Sequence, residues 1–382
     1  MLWKKHGDAL RSPKEIFGTK FADAGIVAES LEFDASPSFT ALLKKFGITL
    51  LVSREYENLV LALSEKRGVL RQSFFHLPHP SGIAVDNKTG SVYVAATRNP
   101  NQIVEFRPIN KRLVREGIKH APQGNFLIPT RAKYYPGAYY FHDLAFIGGK
   151  LYANSVGQNG IIRIDMNLAQ PEGLLWWPKC VERNGRPDTK ANYIQLNSIA
   201  AGKTIKDSFF SASGDQIRPT RPGDQKYPVD KEGVIFSGKN RKAIARGLTR
   251  PHSARFYGKK LLVDNSGYGE IGYIEKGIFH AIMKLPGWTR GLYIIGDVAF
   301  VGVSRILPRF KHYAPGLKGV SERSGIFAID LKKEKIIGSI EFPYGNQIFA
   351  VEGIKRTLTE GFLYHTIDDT QEEKDSFFTS LV

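Results

Sequence analysis

Short apolar runs separated by turn-forming residues fill the chain from about residue 47 to residue 354. In the stretch 250–267, a Pro-His-Ser corner leads into a short strand, a turn at Gly258-Lys259 and a second strand at residues 261–264. Strands of this length, bounded by turn residues at regular spacing, are typical of all-β folds. The hydrophobic pattern therefore predicts an all-β protein.

The runs also repeat in units of four strands, which indicates a propeller rather than a single sandwich. The first strands are 81–85, 142–147, 196–201, 252–257 and 290–295, and the second strands are 91–97, 150–155, 208–213, 260–266 and 298–304. The third strands are 102–107, 160–165, 233–238, 270–275 and 325–330. The fourth strands are weaker, and RLVRE at 112–116 is assigned to the first complete unit.

A sixth unit is split between the two ends of this repeat. Residues 48–75 supply three strands without a first strand, and residues 347–354 supply a first strand without the rest. Pairing the two pieces would remove exposed sheet edges. We therefore predict a six-bladed β-propeller with strand-exchange closure, in which the C-terminal strand completes the N-terminal blade.

The pattern also divides the chain into three parts. Residues 1–46 form an N-terminal extension with a short helix, for which Ser36 is the cap, Pro37 the first turn and Gly47 the stop. Residues 47–354 form the propeller, and residues 355–382 form a C-terminal tail whose GFLYHTI segment can add an edge strand.

The long loops all fall on the propeller face where first strands begin and second strands end. They cover residues 118–140, 178–194, 216–232 and 306–324, whereas the turns on the other face are short. Because loops on a rigid scaffold carry most binding and catalytic residues, we expect the functional site on this loop-rich face.

Arginines and histidines are prominent at the predicted mouth. Arginine binds carboxylate, sulfate or phosphate with a planar fork, so a group of arginines predicts an anion pocket, unless each pairs with a local acid such as Glu55 or Glu322. The predicted substrate-binding residues are Arg54, Arg98, Arg290, Arg305, Asn154, Asn265, Gln195, Asn197, His79 and Gln347.

The histidines His79, His142 and His252 take equivalent positions at the starts of first strands, and three roles stay open for them. His142 and His252 could bind a divalent metal ion, with Asp143 as a further ligand and Gln195 or Asn197 assisting. One of them could instead act as a general base, which makes His142 and His252 the candidate catalytic residues. Each histidine could also be a structural corner that bonds to the next blade.

Composition narrows the function classes. The 54 Lys and Arg residues against 37 Asp and Glu residues give a net charge of +17, which attracts anionic partners. No run of five or six basic residues occurs, so we do not expect a nucleic-acid-binding tail. There is a single cysteine, no apolar run long enough to span a membrane and no secretory leader at the start, and we expect a cytoplasmic protein.

Several motifs resemble an uncharacterised bacterial family of conserved hypothetical β-propeller proteins, a domain of unknown function. They include HPSGIAV, FHDLAF, RPHSARFYGKKLLVDNSGYGEIG, LPGWTRGL and FVGVSR. The resemblance implies the propeller fold and no settled activity, and the family has a histidine where this chain has Gln195. A more distant fold analogy is to the calcium-assisted lactonase and strictosidine-synthase-like six-bladed propellers.

Two function classes follow from the pattern. The first is binding of an anionic small molecule or anionic sugar at the loop-rich face, with hydrolysis, lyase cleavage or isomerisation as the chemistry if the site is catalytic. The second is a non-catalytic scaffold that docks a protein partner or an acidic polymer through the same face. The sequence does not decide whether the protein is an enzyme.

Overall fold

The computed structural model describes residues 28–98, 100–109, 111–114, 124–168, 172–320, 323–363 and 377–380. In these residues, six sheets of four or five strands are built almost wholly from antiparallel pairs. Each sheet contains one four-stranded repeat unit, so the predicted six-bladed all-β propeller is confirmed. No helix in this part of the chain is long and apolar enough to cross a membrane.

The described residues of the N-terminal half form one α-helix and the first three blades. Helix α1 is Pro37–Phe46. The strands are β1 (Asp34–Ala35), β2 (Ile48–Arg54), β3 (Leu59–Lys66), β4 (Val69–His76), β5 (Pro80–Val85), β6 (Val92–Ala96), β7 (Gln102–Ile109), β8 (Lys111–Val114), β9 (Phe126–Tyr134), β10 (Phe141–Ile147), β11 (Lys150–Ser155), β12 (Gly160–Ile164) and β13 (Leu174–Trp176).

The C-terminal half contains blades four to six and the closing strand. Its strands are β14 (Glu182–Arg183), β15 (Arg186–Pro187), β16 (Leu196–Ala200), β17 (Phe209–Ala212), β18 (Gly233–Ser237), β19 (Ala243–Leu248), β20 (Pro251–Tyr257), β21 (Lys260–Asn265), β22 (Glu270–Glu275), β23 (Ile278–Lys284), β24 (Trp288–Ile295), β25 (Val298–Ser304), β26 (Gly325–Asp330), β27 (Lys335–Glu341), β28 (Ala350–Lys355), β29 (Gly361–Phe362) and β30 (Phe377–Ser380).

Short 3₁₀ helices connect several of these strands. They are Ala28–Leu31, Val156–Gln158, Lys179–Val181, Ile205–Asp207, Ser266–Tyr268, Pro308–Tyr313 and Pro315–Leu317.

Closure occurs through β28, which is the innermost strand of the N-terminal blade. It pairs antiparallel with β2 in one continuous register, from Ile48 opposite Lys355 to Ser53 opposite Ala350. The first and last parts of the propeller therefore share one sheet, and the predicted strand exchange is confirmed.

Helix α1 covers the outside of this closure. Ser36 Oγ accepts a hydrogen bond from the Phe39 amide at 3.2 Å, and Gly47 takes a left-handed φ of 58° at the other end. Phe39 and Leu43 are fully buried, and the Phe39 ring meets Phe300 edge-on at 5.8 Å. The cap, Pro and Gly signals thus mark the helix boundaries as the sequence predicted.

The fourth strand of blade two differs from the prediction. It is β9, which pairs with all of β7, whereas Lys111–Val114 pairs with β30 outside the blade. The signal was hidden by Pro129, because proline inside a run argues against a strand. A register shift beside Phe106 accommodates Pro129, and Gly361–Phe362 adds a parallel edge strand to β9.

Apolar clusters fill the spaces between neighbouring blades. One joins blades one and two through residues such as Val60 and Val94, and another joins blades five and six through Leu262 and Val301. All four of these side chains are completely buried. This packing fixes the blades around one axis and holds the starts of the inner strands next to each other.

Candidate functional site

A cavity of about 300 Å³ opens on the loop-rich face, where the inner strands begin. Side chains from several blades and residues of the long loops 216–232 and 306–324 form its wall. They include Glu55, Tyr56, Arg98, His142, Gln195, Arg250, His252, Trp288, Arg290, Arg305, Tyr313, Gln347 and Phe349. The cavity lies on the predicted face. Eight of these wall residues were named from the sequence, namely Glu55 as a local acid and Arg98, His142, Gln195, His252, Arg290, Arg305 and Gln347 as site residues.

Strand pairing shows which residues are equivalent between blades. The last residue of each second strand is paired with Pro80, Phe141, Leu196, Pro251 or Trp288, and a register shift follows directly in blades two to four and one residue later in blades five and six. The next position is Ser81, His142, Asn197, His252 and Thr289, so His142 and His252 are true equivalents.

His79 is not equivalent to those two histidines. It lies two positions earlier, where it corresponds to Tyr140, Gln195 and Arg250. All four residues have a positive φ, between 46° and 51°. The repeat alignment therefore matched His79 with His142 instead of Tyr140, because no residue pattern marks the point where each first strand bends inward.

His252 is held in one orientation at the cavity wall. Its Nδ1 lies 2.8 Å from the carbonyl oxygen of Arg250 and 3.0 Å from Ser266 Oγ. A carbonyl oxygen only accepts hydrogen bonds, so Nδ1 carries the proton and Nε2 keeps its lone pair in the neutral ring. The Trp288 ring packs edge-on against the imidazole at 5.8 Å.

Both histidines are neutral at physiological pH. Burial lowers the pKa of His142 and of His252 well below the ordinary value, and the positive charge of Arg290 lowers each pKa further. A hydrogen bond between His142 and Asn197 acts against these two effects on the pKa of His142, and the His142 ring meets Phe349 edge-on at 5.4 Å.

Arg290 projects its charge into the same wall without an ion pair to any acid in the described part of the chain. The residue is only 7% exposed, and its guanidinium carbon lies 3.1 Å from the centre of the Phe349 ring. Its Nη2 atom is buried and has no hydrogen-bond partner in the described part of the chain. Burial lowers the pKa of Arg290 to about 10, so the side chain still carries its charge at neutral pH.

Arg250 is a cavity residue that the sequence analysis missed. Its Nη1 donates to Gln195 Oε1 and its Nη2 donates to the Pro222 carbonyl oxygen, while the guanidinium lies 4.1 Å from the Tyr313 ring centre. Burial lowers its pKa to about 10. The signal was available, because Arg250 stands at the same repeat position as Gln195, directly before the Pro-His pair.

Two long loops meet above Arg250. Tyr313, from the blade-six loop, donates a hydrogen bond of 3.0 Å to the Gly223 carbonyl oxygen in the blade-four loop. Pro222 on that second loop accepts from Arg250. Of the four loops that the sequence marked as long excursions, residues 216–232 and 306–324 therefore form part of the cavity wall, whereas residues 118–140 include strand β9 of blade two.

The other predicted residues at the rim of the cavity differ in whether they have a hydrogen-bond or ion-pair partner within the protein. Arg98 Nη2 lies 3.3 Å from Glu55 Oε1, and Arg305 Nη2 donates to the Pro343 carbonyl oxygen at 2.5 Å. Gln347 lines the cavity with a buried Oε1 that has no partner among the described residues. The alternative of local ion pairs thus applies to Arg98, while Glu322 lies outside the described residues.

Five predicted substrate-binding residues do not line the cavity, namely Arg54, His79, Asn154, Asn197 and Asn265. Arg54 is completely buried and donates to the Ser30 carbonyl oxygen, and His79 lies beside Glu55 at 3.9 Å. Asn154 accepts from two blade-three amides and donates to Leu196 at 2.9 Å. Asn265 accepts from Thr249 and donates to Glu270. The amide groups of Asn154 and Asn265 are thus bonded to other residues of the protein, outside the cavity.

Asp143 and Asn197 lie deeper, in a small space below the cavity. Asp143 forms a two-pronged ion pair with Arg255, with distances of 3.0 and 3.2 Å, and Asn197 donates to the Pro251 carbonyl oxygen. Among the described residues, no group of three or more His, Cys, Asp or Glu side chains is placed to hold a metal ion. Metal binding by His142, His252 and Asp143 stays a prediction.

Comparison with known families identifies the chain's relatives. The profile of the Domain of unknown function (DUF4915) family matches residues 37–361. The chain belongs to this family. The match covers nearly the whole propeller of the DUF4915 protein, and it agrees with the resemblance seen in the sequence motifs. A search of curated proteins finds no match.

Solved structures with related folds have low sequence identity. A chain in the crystal structure of a nidogen/laminin complex has a TM-score of 0.54 at 12% identity, covering 82% of this chain and 100% of that chain. A protein of unknown function from Bacteroides caccae has a TM-score of 0.48 at 9% identity, covering 81% and 99%. A gluconolactonase from Xanthomonas campestris has a TM-score of 0.43 at 14% identity, covering 70% and 77%. The first of these likenesses supports the fold alone.

Proposed function

We propose that the DUF4915 protein binds a small organic anion in the cavity of its loop-rich face, with Arg290 as the main contact. The observation that carries this proposal is the buried guanidinium of Arg290, which has an unpartnered Nη2 and no carboxylate of the described residues within 4.0 Å. A buried charge without a partner is costly, and a bound carboxylate, sulfate or phosphate would offset that cost.

The surrounding charges favour an anion as well. Arg250 contributes a second buried positive charge, which is bonded only to neutral acceptors among the described residues. Glu55 is the acidic residue on the wall, and its Oε1 is already shared by Arg98 and Thr97 at 3.3 Å each. The wall thus keeps a net positive charge in a region of low solvent access, where electrostatic attraction is strong.

The histidine geometry suggests how a bound anion could react. His252 Nε2 has a lone pair at the wall because Nδ1 is protonated, but its lowered pKa makes it a weak base. An anion bound to Arg290 would offset the positive charge that helps to lower the pKa of His252, and it would bring that pKa closer to neutrality. Proton abstraction in a hydrolase, lyase or isomerase reaction would then fall to His252, with His142 beside it.

A divalent metal would have a limited ligand set here. His142 and His252 supply two imidazoles, while catalytic zinc sites usually have three protein ligands. Asp143 is occupied by Arg255. We therefore base the proposed binding on the arginines, and elemental analysis of the purified protein tests the metal separately.

The decisive experiment compares two arginine variants of equal charge change. Calorimetric titration would measure binding of two probes, glucuronate and cyclohexanecarboxylate, to the parent protein, to Arg290→Gln and to Arg323→Gln. Arg323 is 53% exposed in its side chain and pairs with Glu341 on the outside. We expect Arg290→Gln to weaken binding at least 10-fold and Arg323→Gln to leave it within 2-fold, since hydrogen bonds to charged groups contribute about 1.5–3 kcal/mol.

The proposal is contradicted if neither probe binds the parent protein. It is also contradicted if Arg290→Gln binds both probes as tightly as the parent does. A general attraction by the net charge would instead weaken binding equally in both variants.

A further inference from the structure

The cavity wall carries an unpartnered hydrogen-bond acceptor as well as positive charge. Gln347 Oε1 is buried and has no hydrogen-bond partner among the described residues. Gln347 lines the same cavity as Arg290. An anionic group can satisfy the arginine, but it does not explain this oxygen.

The missing partner of Gln347 Oε1 must be a donor. A carboxylate only accepts hydrogen bonds, so it cannot pair with this oxygen. An ammonium group would bring a positive charge towards Arg290 and Arg250, which would repel it. A hydroxyl group is neutral and can donate a hydrogen bond, so it suits Gln347 Oε1.

The shape of the wall indicates a compact ring. Trp288, Tyr313 and Phe349 present aromatic side chains around the polar atoms. The volume of about 300 Å³ is at the lower end of the range for small-molecule sites, which is roughly 300–1,000 Å³. Aromatic faces pack against the C–H faces of a ring while the ring's hydroxyl groups point to polar atoms at its edge.

We infer that the bound anion is a sugar acid, a single ring that carries one carboxylate and several hydroxyl groups. This inference rests on the proposed function, and it adds that the hydroxyl groups provide a substantial share of the affinity. Arg290 binds the carboxylate, and Gln347 Oε1 accepts a hydrogen bond from one of the hydroxyl groups. The aromatic side chains cover the ring.

Three matched sets of probes separate the contributions. The first set is glucuronate, galacturonate and mannuronate, the second is glucose, galactose and mannose, and the third is cyclohexanecarboxylate. Calorimetric titration of the parent protein should show at least one uronate binding 10-fold more tightly than its neutral sugar and than cyclohexanecarboxylate.

The outcomes distinguish this inference from the proposed function. If cyclohexanecarboxylate binds as tightly as every uronate and depends on Arg290, the anion site stands and the sugar-acid inference is overturned. If a neutral sugar binds as tightly as its uronate, or if no probe binds, both are overturned.

The variant Gln347→Met tests the acceptor itself, because it removes the amide and keeps a side chain of similar length. We expect it to weaken uronate binding about 3- to 10-fold, in line with the loss of one hydrogen bond, and to leave cyclohexanecarboxylate binding within 2-fold. An unchanged melting temperature would show that the variant is folded. Equal weakening of both acids, or of neither, would overturn the assignment of Gln347 to hydroxyl recognition.

Discussion

The two ends of the central channel differ in how their charges are satisfied. The loop-rich end has the cavity around Arg290, His142 and His252. The opposite end opens into a cavity of about 360 Å³ that is lined mostly by residues with apolar side chains, among them Leu144, Phe146, Phe256, Leu292 and Tyr293. Its charged side chains are Arg255 and Glu352. Both ends are assembled from the same repeated inner strands, so the contrast arises from the side chains.

The ion pair between Asp143 and Arg255 separates the two ends and shows what a satisfied charge looks like in this fold. Asp143 accepts from Arg255 through both oxygens and also from the Ile199 amide at 2.9 Å. Arg255 donates in addition to the Ile199 carbonyl oxygen at 3.1 Å. Arg290 lies one blade further on, and no carboxylate of the described residues forms such a pair with it. The unsatisfied side chains mark the end of the channel that we assign to ligand binding.

The largest expected effect is on stability, from breaking the central ion pair. The change Asp143→Asn leaves the buried guanidinium of Arg255 without its acid, and we expect the free energy of unfolding to fall by about 3–5 kcal/mol. Urea denaturation would measure it. The double variant Asp143→Asn with Arg255→Met removes both charges and should be less destabilised than the single variant. A single variant that loses less than about 1 kcal/mol would show that the pair is not the structural element that we describe.

Glu352 provides the second test, at the apolar end. Burial raises its pKa from 4.5 to about 7, against the opposing effect of Arg255. The folded state therefore binds this proton more tightly than the unfolded state, and stability from this group is lost as the pH rises through about 7. We expect Glu352→Gln to be more stable than the parent by roughly 2–3 kcal/mol above pH 8, with the difference vanishing below about pH 4.5. A difference that is constant with pH would show that the carboxylate does not titrate in this range.

The sequence was sufficient for the fold because the repeat itself carried the information. Apolar strands such as residues 260–266 have the same turn signals in each unit, and the isolated strand near residue 350 could only pair with Ile48–Arg54. The error in blade two came from Pro129, which tertiary pairing tolerates beside a register shift. A proline disfavours a strand through its local backbone geometry, whereas the pairing of β9 with β7 depends on contacts with another part of the chain.

The site was less predictable, because contacts across the axis decide it. The loop-rich face and the residues His142, His252, Arg290 and Gln347 could be found from their repeat positions. The sequence could not show that Arg54 is fully buried, or that Arg250 enters the cavity under the loop that carries Tyr313. Those facts depend on how distant loops fold over the mouth, for which the repeat provides no pattern.

The smallest expected effect tests the comparison most directly, because removing an arginine should change the free energy of unfolding in opposite directions at the two ends of the channel. Replacing Arg290 by Met removes a buried charge that has no acid partner among the described residues, although it also removes the contact with Phe349. Since burial of an unpaired charge costs more than such a contact supplies, we expect Arg290→Met to raise the free energy of unfolding by about 1 kcal/mol in the absence of an anion. The matched variant Arg255→Met should instead lower it, because Asp143 loses its partner.

Urea denaturation of both variants in a buffer of weakly binding ions provides the measurement. Equal losses in the two variants would mean that the charge of Arg290 is as structural as that of Arg255, and the loop-rich end would then have no unsatisfied charge for a ligand to complete.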